Sequence, residues 1–135
     1  MEINYNINAD VGEGMGNDAG LMPLIQSCNI ARGGHAGSKN EIKKTIALAI
    51  ENNVLIGAHP SYPDPKNFGR KSLKLTKEVL YQSIEQQLLV LINQLHSEKI
   101  HHVKPHGALY HDCNSNDQIA KILLHVIKSL CPNVV

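Results

Sequence analysis

Polar side chains able to do acid–base chemistry follow four separate segments that are predicted to be strands. They are Asp10 and Glu13 after the first segment; Asn29, Arg32 and His35 after the second; His59 and Asp64 after the third; and Lys104, His106 and His111 after the fourth. Loops after the carboxyl ends of parallel strands converge on one face of an α/β fold. Because histidine titrates near neutral pH and burial tunes carboxylates, this face is predicted to hold a site for general acid–base catalysis.

The histidines also permit a metal interpretation. His35, His59 and His106, together with Asp10, offer nitrogen and oxygen ligands that suit a divalent metal ion. No His-x-x-x-His or similar local spacing favours zinc in particular. Proton transfer and metal binding are therefore alternative uses of the same residues.

Some polar residues near these loops are expected to have no part in a site. A single aspartate or histidine in a glycine-rich loop more often caps a helix or stabilises a turn. Asp64 lies between two prolines and is predicted to be a turn residue, whereas His96 and His125 fall in predicted helices as ordinary surface residues. The recurrence of polar groups after four strands, more than any one residue, favours a shared site.

Two glycine-rich turns are candidates for binding a phosphate or an oxyanion. Residues 12–16 lack the Lys-Ser/Thr ending of a phosphate loop and the spacing of a dinucleotide fingerprint. Residues 33–38, with Gly33 and Gly34, precede a predicted helix, so their backbone N–H groups could hold an anion. A tight turn that simply requires glycine explains residues 33–38 equally well.

Hydrophobic periodicity predicts strands that alternate with helices. Strands are predicted at residues 3–8, 27–31, 54–58 and 101–104, a fifth at 134–135, a loop at 10–20 and a short helical turn at 21–25. Capping patterns predict that three long helices begin at Ser38-x-x-Glu41, Thr76 and Ser115-x-x-Gln118.

This order of elements is typical of an α/β fold with parallel strands and right-handed crossovers. The repeat of roughly thirty residues per strand and helix matches a β/α barrel, which needs about 250 residues to close. The chain has 135 residues and no internal repeat or linker. We therefore expect residues 1–135 to be one partial domain, the amino-terminal half of an incomplete or distorted β/α barrel.

Composition excludes several classes of partner. The chain has 13 basic and 12 acidic residues, so no basic surface suggests nucleic acid or an anionic membrane. Residues 1–8 lack the pattern of a signal peptide, and no apolar stretch is long enough to span a bilayer. A cytoplasmic protein is expected, with Cys28, Cys113 and Cys131 as reduced thiols.

Six motifs, in this order along the chain, resemble those of the LamB/YcsF family. They are N-A-D-V-G-E-G-M-G-N-D (8–18), L-M-P-L-I-Q-S-C-N-I-A (21–31), G-G-H-A-G (33–37), I-G-A-H-P-S-Y-P-D (56–64), F-G-R (68–70) and H-V-K-P-H-G-A-L-Y (102–110). Members of that family are the A-type subunits of 5-oxoprolinase, whose barrels resemble sugar deacetylases. The resemblance implies a hydrolase that, with subunits B and C, converts 5-oxoproline to glutamate while hydrolysing ATP.

In the implied scheme the partner subunits phosphorylate the lactam oxygen, and this subunit opens the activated ring. Asp10 or Glu13 would act as the base for water, and Lys104 would stabilise developing negative charge. His35, His59 and His106 would transfer protons or hold a divalent metal. Residues predicted to bind substrate or anion are Asn8, Asn29, Gly33, Gly34 and Arg70.

Three features depart from the family pattern. Arg32 replaces the usual cysteine and Ser38 the usual aspartate, and family chains are nearly twice as long. Half a barrel exposes strand edges and helix faces, so we expect that the chain either is a fragment or associates tightly, with a second copy as one candidate partner, and that this half alone does not catalyse the reaction. Two alternatives stay open: a metal-dependent deacetylase of sugars or small amides, and an inactive relative that serves as a binding partner.

Overall fold

The computed structural model describes residues 5–135 and contains one four-stranded parallel sheet with the strand order β1-β2-β3-β4. The strands are β1 (Asn8–Val11), β2 (Ser27–Ala31), β3 (Leu55–His59) and β4 (His102–Val103). The α-helices are α1 (Asp18–Leu21), α2 (Lys39–Glu51), α3 (Lys77–Ile92), α4 (Gly107–Ser115) and α5 (Asp117–Leu130). Every neighbouring pair of strands is parallel, so the predicted α/β fold is confirmed.

The two faces of the sheet differ in chemistry, because side chains alternate between faces along each strand. One face packs in a core cluster with the helices and carries Val11, Cys28, Ile30, Ile56 and Ala58. The other face carries Asn8, Asp10, Asn29, Gly57 and His102. We call this second surface the polar face. Helices therefore cover the apolar face, while hydrogen-bonding groups occupy the opposite one.

Strand β1 lies further along the chain than the sequence pattern predicts. Residues 3 and 4 lie outside the described residues, and residues 5–7 are exposed and belong to no strand. The strand begins at Asn8, which pairs with Ser27, and ends at Val11, which pairs with Ile30. The buried Val11 anchors this register. The predicted strand is therefore wrong at residues 5–7, and Asp10, which was predicted to lie in a loop, lies within a strand.

Helix α4 begins after the three residues that follow β4, and it is absent from the sequence prediction. Its first residue, Gly107, has a φ of 56°, and a Cβ there would lie 2.6 Å from the carbonyl oxygen of Gly69. Glycine is therefore required where the two backbones meet. Residues 134–135 form no strand, but the Val135 N–H donates to the His101 carbonyl at 2.9 Å. Among residues 5–135, no helix has the length and apolar character to cross a bilayer.

Helix capping confirms two predicted starts and corrects the third. Ser38 and Glu41 form the complete capping box of α2, and the Thr76 side chain caps α3. Helix α5 is capped by Asn116, whose side-chain oxygen accepts two backbone N–H groups of its first turn. The predicted start at Ser115 is wrong, because Ser115 is the last residue of α4 and its hydroxyl donates to the His111 carbonyl.

Replacing Asn116 should therefore destabilise the protein more than replacing Ser115. We expect Asn116→Ala to reduce the free energy of unfolding by about 1 kcal/mol, because two N–H groups lose their acceptor. Ser115→Ala is the matched control and should change it by less than about 0.5 kcal/mol. Urea unfolding of both variants measures the difference, and equal losses would contradict this assignment of the cap.

Candidate functional site

The carboxyl ends of the strands bring six predicted side chains to one rim of the polar face. They are Asp10, Glu13, His35, His59, Lys104 and His106, here called the six-residue cluster. A continuous chain of contacts joins them. Lys104 Nζ lies 2.9 Å from Asp10 Oδ1, and Asp10 Oδ2 lies 3.4 Å from His59 Nε2. His106 Nδ1 lies 3.1 Å from His59 Nε2 and 3.8 Å from Glu13 Oε1, which in turn lies 2.8 Å from His35 Nε2.

Asp10 is a carboxylate held by several donors. Its Oδ1 accepts hydrogen bonds from Lys104 Nζ at 2.9 Å and from Asn29 Nδ2 at 2.8 Å. Burial alone would raise the pKa of Asp10, but the hydrogen bond and charge of His59, with Lys104 and Asn29, outweigh it and hold the pKa well below its usual range. Asp10 is therefore ionised at neutral pH.

Glu13 is the second ionised carboxylate, and it is less accessible. Its side chain is 14% exposed, against 34% for Asp10. Burial alone would raise the pKa of Glu13, but the hydrogen bond and charge of His35, with the charges of His59 and His106, lower it. The rim thus places two negative charges among three imidazoles and one ammonium group.

The loop that carries Glu13 is fixed by an aspartate outside the cluster. Gly12 and Gly14 have φ values of 72° and 77°, which glycine adopts at little cost. Asp18 Oδ2 accepts the Gly12 N–H at 2.8 Å and the Thr45 hydroxyl at 3.3 Å. These two bonds tie the loop to helix α2, so Glu13 is presented from an anchored turn.

The three histidines pack directly against one another. The rings of His35 and His106 stack with centroids 3.6 Å apart and planes 7° from parallel, and His59 meets both edge-on. Burial lowers the pKa of His106, and the charge of His35 lowers it further. Because two stacked imidazolium ions would repel each other, this arrangement favours a neutral His106.

Backbone carbonyls fix which ring nitrogens of His59 and His106 carry hydrogen. A carbonyl only accepts, so His59 Nδ1 donates to the Lys104 carbonyl at 2.7 Å and His106 Nε2 donates to the Phe68 carbonyl at 2.8 Å. In the neutral rings, His59 Nε2 and His106 Nδ1 then present lone pairs to each other across 3.1 Å. A shared proton or a cation would remove their repulsion.

The same geometry fits a divalent metal ion. Glu13, His35, His59 and His106 each offer one ligand atom, and these atoms lie within 4.8 Å of one another. Ligands of tetrahedral zinc, with bonds of about 2.0–2.2 Å, lie about 3.3–3.6 Å apart. Histidine ligands commonly donate their other N–H to a carbonyl, as His59 and His106 do. The carboxylate of this group is Glu13, where the sequence suggested Asp10.

The surroundings of His35 favour proton transfer over metal binding by this ring. Its Nε2 contacts Glu13, and its Nδ1 is the buried side-chain nitrogen that has no hydrogen-bond partner within residues 5–135. A neutral ring that donates Nε2–H to Glu13 leaves Nδ1 without a hydrogen. That state suits proton transfer between His35 and Glu13. Metal binding through Nε2 would instead place the hydrogen on Nδ1, where the N–H would be buried without an acceptor.

A turn that the predicted elements did not include covers the stacked histidines. Phe68 and Gly69 have φ values of 54° and 63°, and a Cβ on Gly69 would lie 2.9 Å from the Cβ of His35. The Phe68 carbonyl accepts from His106, and the guanidinium of the exposed Arg70 lies 5.3 Å from the Phe68 ring centroid. The F-G-R motif at residues 68–70 was the sequence feature that could have indicated this turn. Anion binding by Arg70 stays a prediction.

Several other predicted residues lie near the cluster with their polar groups already engaged. Asn29 is fully buried, and its amide contacts Asp10, Asn8 and His102. The Gly33 N–H donates to the Ala36 carbonyl at 2.6 Å, and the Ser38 N–H donates to Glu41 at 2.6 Å. Gly34 is buried where a Cβ would overlap Gln87 and Ser61. These contacts favour the tight-turn explanation of residues 33–38.

Three polar residues from the same loops do not join the cluster. Arg32 is buried and donates to the backbone carbonyls of Ile30 and Gln87, and burial lowers its pKa to about 9. Asp64 caps the 3₁₀ turn Pro65–Asn67, as expected of a turn residue. His111 is exposed on α4, where its ring packs against Tyr110.

Comparison with known proteins finds a family match and a similar fold in a longer chain. A sequence profile of the LamB/YcsF family matches residues 5–135. The crystal structure of a lactam utilization protein from Thermus thermophilus is similar with a TM-score of 0.92 and 34% sequence identity. The match covers 98% of this chain and 56% of that chain, so this chain spans a little over half of the length of that protein.

Metal titration tests whether the histidine and glutamate group binds an ion. If it does, chelator-treated protein should bind one Zn²⁺ per chain in isothermal titration calorimetry, and His106→Asn and Glu13→Gln should each weaken binding at least about tenfold. His111→Asn is the matched control on an exposed histidine. Equal affinity in all variants, or no binding by the starting protein, would exclude this group as a metal site.

Proposed function

The chain belongs to the LamB/YcsF family, and we propose that it contributes the acid–base groups of a hydrolase that opens a lactam ring. The substrate we propose is 5-oxoproline and the product glutamate. The name of the similar Thermus protein, which refers to lactam utilization, supports the class of substrate. The convergence of the six-residue cluster on one rim is the observation that carries the proposal.

Opening a lactam requires a base, an acid and a group that stabilises negative charge. Water adds to the carbonyl carbon and gives up a proton; the carbon–nitrogen bond then breaks, and the ring nitrogen takes up a proton. Asp10 and Glu13 are both held ionised and can accept the proton from water. We favour Asp10 as the base because its side chain is more exposed to a substrate.

Lys104 and the histidines would supply the remaining functions. The Lys104 side chain is 42% exposed, so its ammonium group can approach both Asp10 and an oxyanion or phosphate on the substrate. The histidine pair His59 and His106 can hold a single proton between two nitrogens 3.1 Å apart. In this proposal, that proton would pass to the ring nitrogen as the ring opens.

We further propose that partner subunits prepare the substrate. A lactam is stabilised by amide resonance, and phosphorylating its oxygen would make the carbonyl carbon more reactive toward water. The LamB/YcsF resemblance suggests that subunits B and C perform this step with ATP. The glycine-rich residues 12–16 of this chain lack a phosphate-loop ending, which is consistent with nucleotide binding on a partner.

Residues 1–135 are proposed to act as one partial barrel domain of the assembled enzyme. The chain spans little more than half of the matched structure, and Asn8 and Asp10 on the polar face are exposed. An enclosed active site would need this face to be covered, because exclusion of water strengthens electrostatic stabilisation. Catalysis is therefore expected from the assembly and not from these residues alone.

A metal-dependent deacetylase is the second candidate, and the four ligand atoms of Glu13, His35, His59 and His106, which lie within 4.8 Å of one another, favour it. A bound divalent metal would supply Lewis acidity for attack on an amide carbonyl. In that case Glu13 and the three histidines would hold the ion, and Asp10 would remain as the base. Release of acetate from an N-acetyl sugar without ATP or partner subunits would favour this function over lactam opening.

Substitution of Asp10 tests the proposed mechanism. In the complete protein with its partner subunits, Asp10→Asn should lower kcat for glutamate formation by about 10²- to 10⁴-fold, the usual loss for a general base. His111→Asn, on the exposed side of α4, is the control and should leave kcat within about twofold. Turnover by Asp10→Asn that matches the control would remove Asp10 from the mechanism.

A further inference from the structure

His102 reaches across a strand to a residue two strands away. It lies on β4 opposite Gly57 of β3, and a Cβ on Gly57 would overlap the imidazole ring. Because Gly57 has no side chain, His102 Nε2 comes within 2.7 Å of Asn29 Oδ1 on β2. The contact between His102 and Asn29 thus connects β4 to β2 across β3 on the polar face.

The Asn29 amide has only one orientation that satisfies its neighbours. One end lies 2.8 Å from Asp10 Oδ1, an oxygen that also accepts from Lys104 Nζ, so this end is the donating NH₂ group. The same group also donates to Asn8 Oδ1 at 2.5 Å. The amide oxygen therefore faces His102, and Asn29 is fully buried in this position.

This orientation in turn fixes the hydrogen on His102. Asn29 Oδ1 accepts, so His102 Nε2 must carry the hydrogen. Asn8 Nδ2 lies 3.4 Å from that nitrogen and donates to Ser27 at 2.9 Å and to Asn29 Oδ1 at 3.4 Å. His102 Nδ1 is left to accept from His101 Nδ1 at 3.1 Å. Burial lowers the pKa of His102, as does the nearby charge of His101, which favours the neutral ring that this pattern requires.

These hydrogen bonds converge on one oxygen of Asp10. Asn29 and Lys104 both donate to Oδ1, and Oδ2 is then directed toward His59 at 3.4 Å. We propose that His102 is a positioning residue, which orients the Asn29 amide so that Asp10 keeps one oxygen on Lys104 and turns the other toward His59. The effect on rate rests on the ring-opening function proposed above; the hydrogen-bond chain does not.

Two substitutions of His102 separate positioning from bulk packing. His102→Leu keeps a side chain of similar size but has no donor, so kcat for ring opening should fall about 10- to 100-fold, the usual cost of removing a supporting hydrogen bond, with KM little changed. His102→Gln can place an amide N–H near the position of Nε2 and should restore kcat to within about threefold of the starting protein. Equal kcat for His102→Leu and the starting protein, or no rescue by glutamine, would overturn the proposal.

Gly57→Ala gives an independent test that keeps the histidine. The added methyl group would displace the His102 ring, so this variant should lose kcat to a similar extent as His102→Ala. Combining both changes should add little, because the ring that the methyl group displaces is already gone. Multiplicative losses in the double variant would contradict action through His102. This variant also decides the matter if His102→Leu does not fold.

Nuclear magnetic resonance of the Asn29 side-chain NH₂ group separates this proposal from the proposed function. If His102 orients the amide, the proton and nitrogen shifts of this group should change in His102→Leu and stay close to the starting values in His102→Gln. Unchanged shifts in His102→Leu would overturn positioning by His102. Shifts that change as expected, in a protein with no lactam-opening activity, would uphold the hydrogen-bond chain and refute only the function.

Discussion

The pairing of two partly buried carboxylates with basic neighbours is the constraint on which the rim depends. Asp10 is held by Lys104 and lies beside His59, and Glu13 is held by His35. Glu13 is 14% exposed, and a largely buried charge that loses its partner is destabilising, so the loops that carry Glu13 and His35 are held together. Charge pairing therefore holds together the segments that follow the strands, and it also arranges the groups that are proposed to act in catalysis.

Two glycines allow the side chains of the polar face and the rim to approach one another. Gly57 makes room for His102, and Gly69 lets the turn after β3 close over His35. The polar face can then carry a chain of hydrogen bonds from His102 through Asn29 to Asp10, while the opposite face packs against the helices. The small residues thus connect the packing of the fold with the orientation of the reactive groups.

Much of this arrangement can be predicted from the sequence, because the polar residues of the site follow segments that have the pattern of strands. Strands β2 and β3 and the capped helices α2 and α3 show strong periodic patterns, and His35 and His59 after those strands meet as expected, whereas Arg32 does not join them. The start of β1 was misplaced because Val11 pairs with Ile30 on another strand. The cap of α5 was misplaced by one residue because Ser115 and Asn116 are both common N-cap residues. The contact of His102 with Asn29 depends on a glycine in an intervening strand, so linear spacing gives no sign of it.

The central claim is that the six-residue cluster works as one reaction centre. A double-mutant cycle of Asp10→Asn and Glu13→Gln on kcat for ring opening, in the complete assembly, tests it most directly, because His59 and His106 separate these carboxylates in the chain of contacts. If the groups act together, the double variant should be about as slow as the slower single variant. Losses that simply multiply would show two independent contributions and contradict the account.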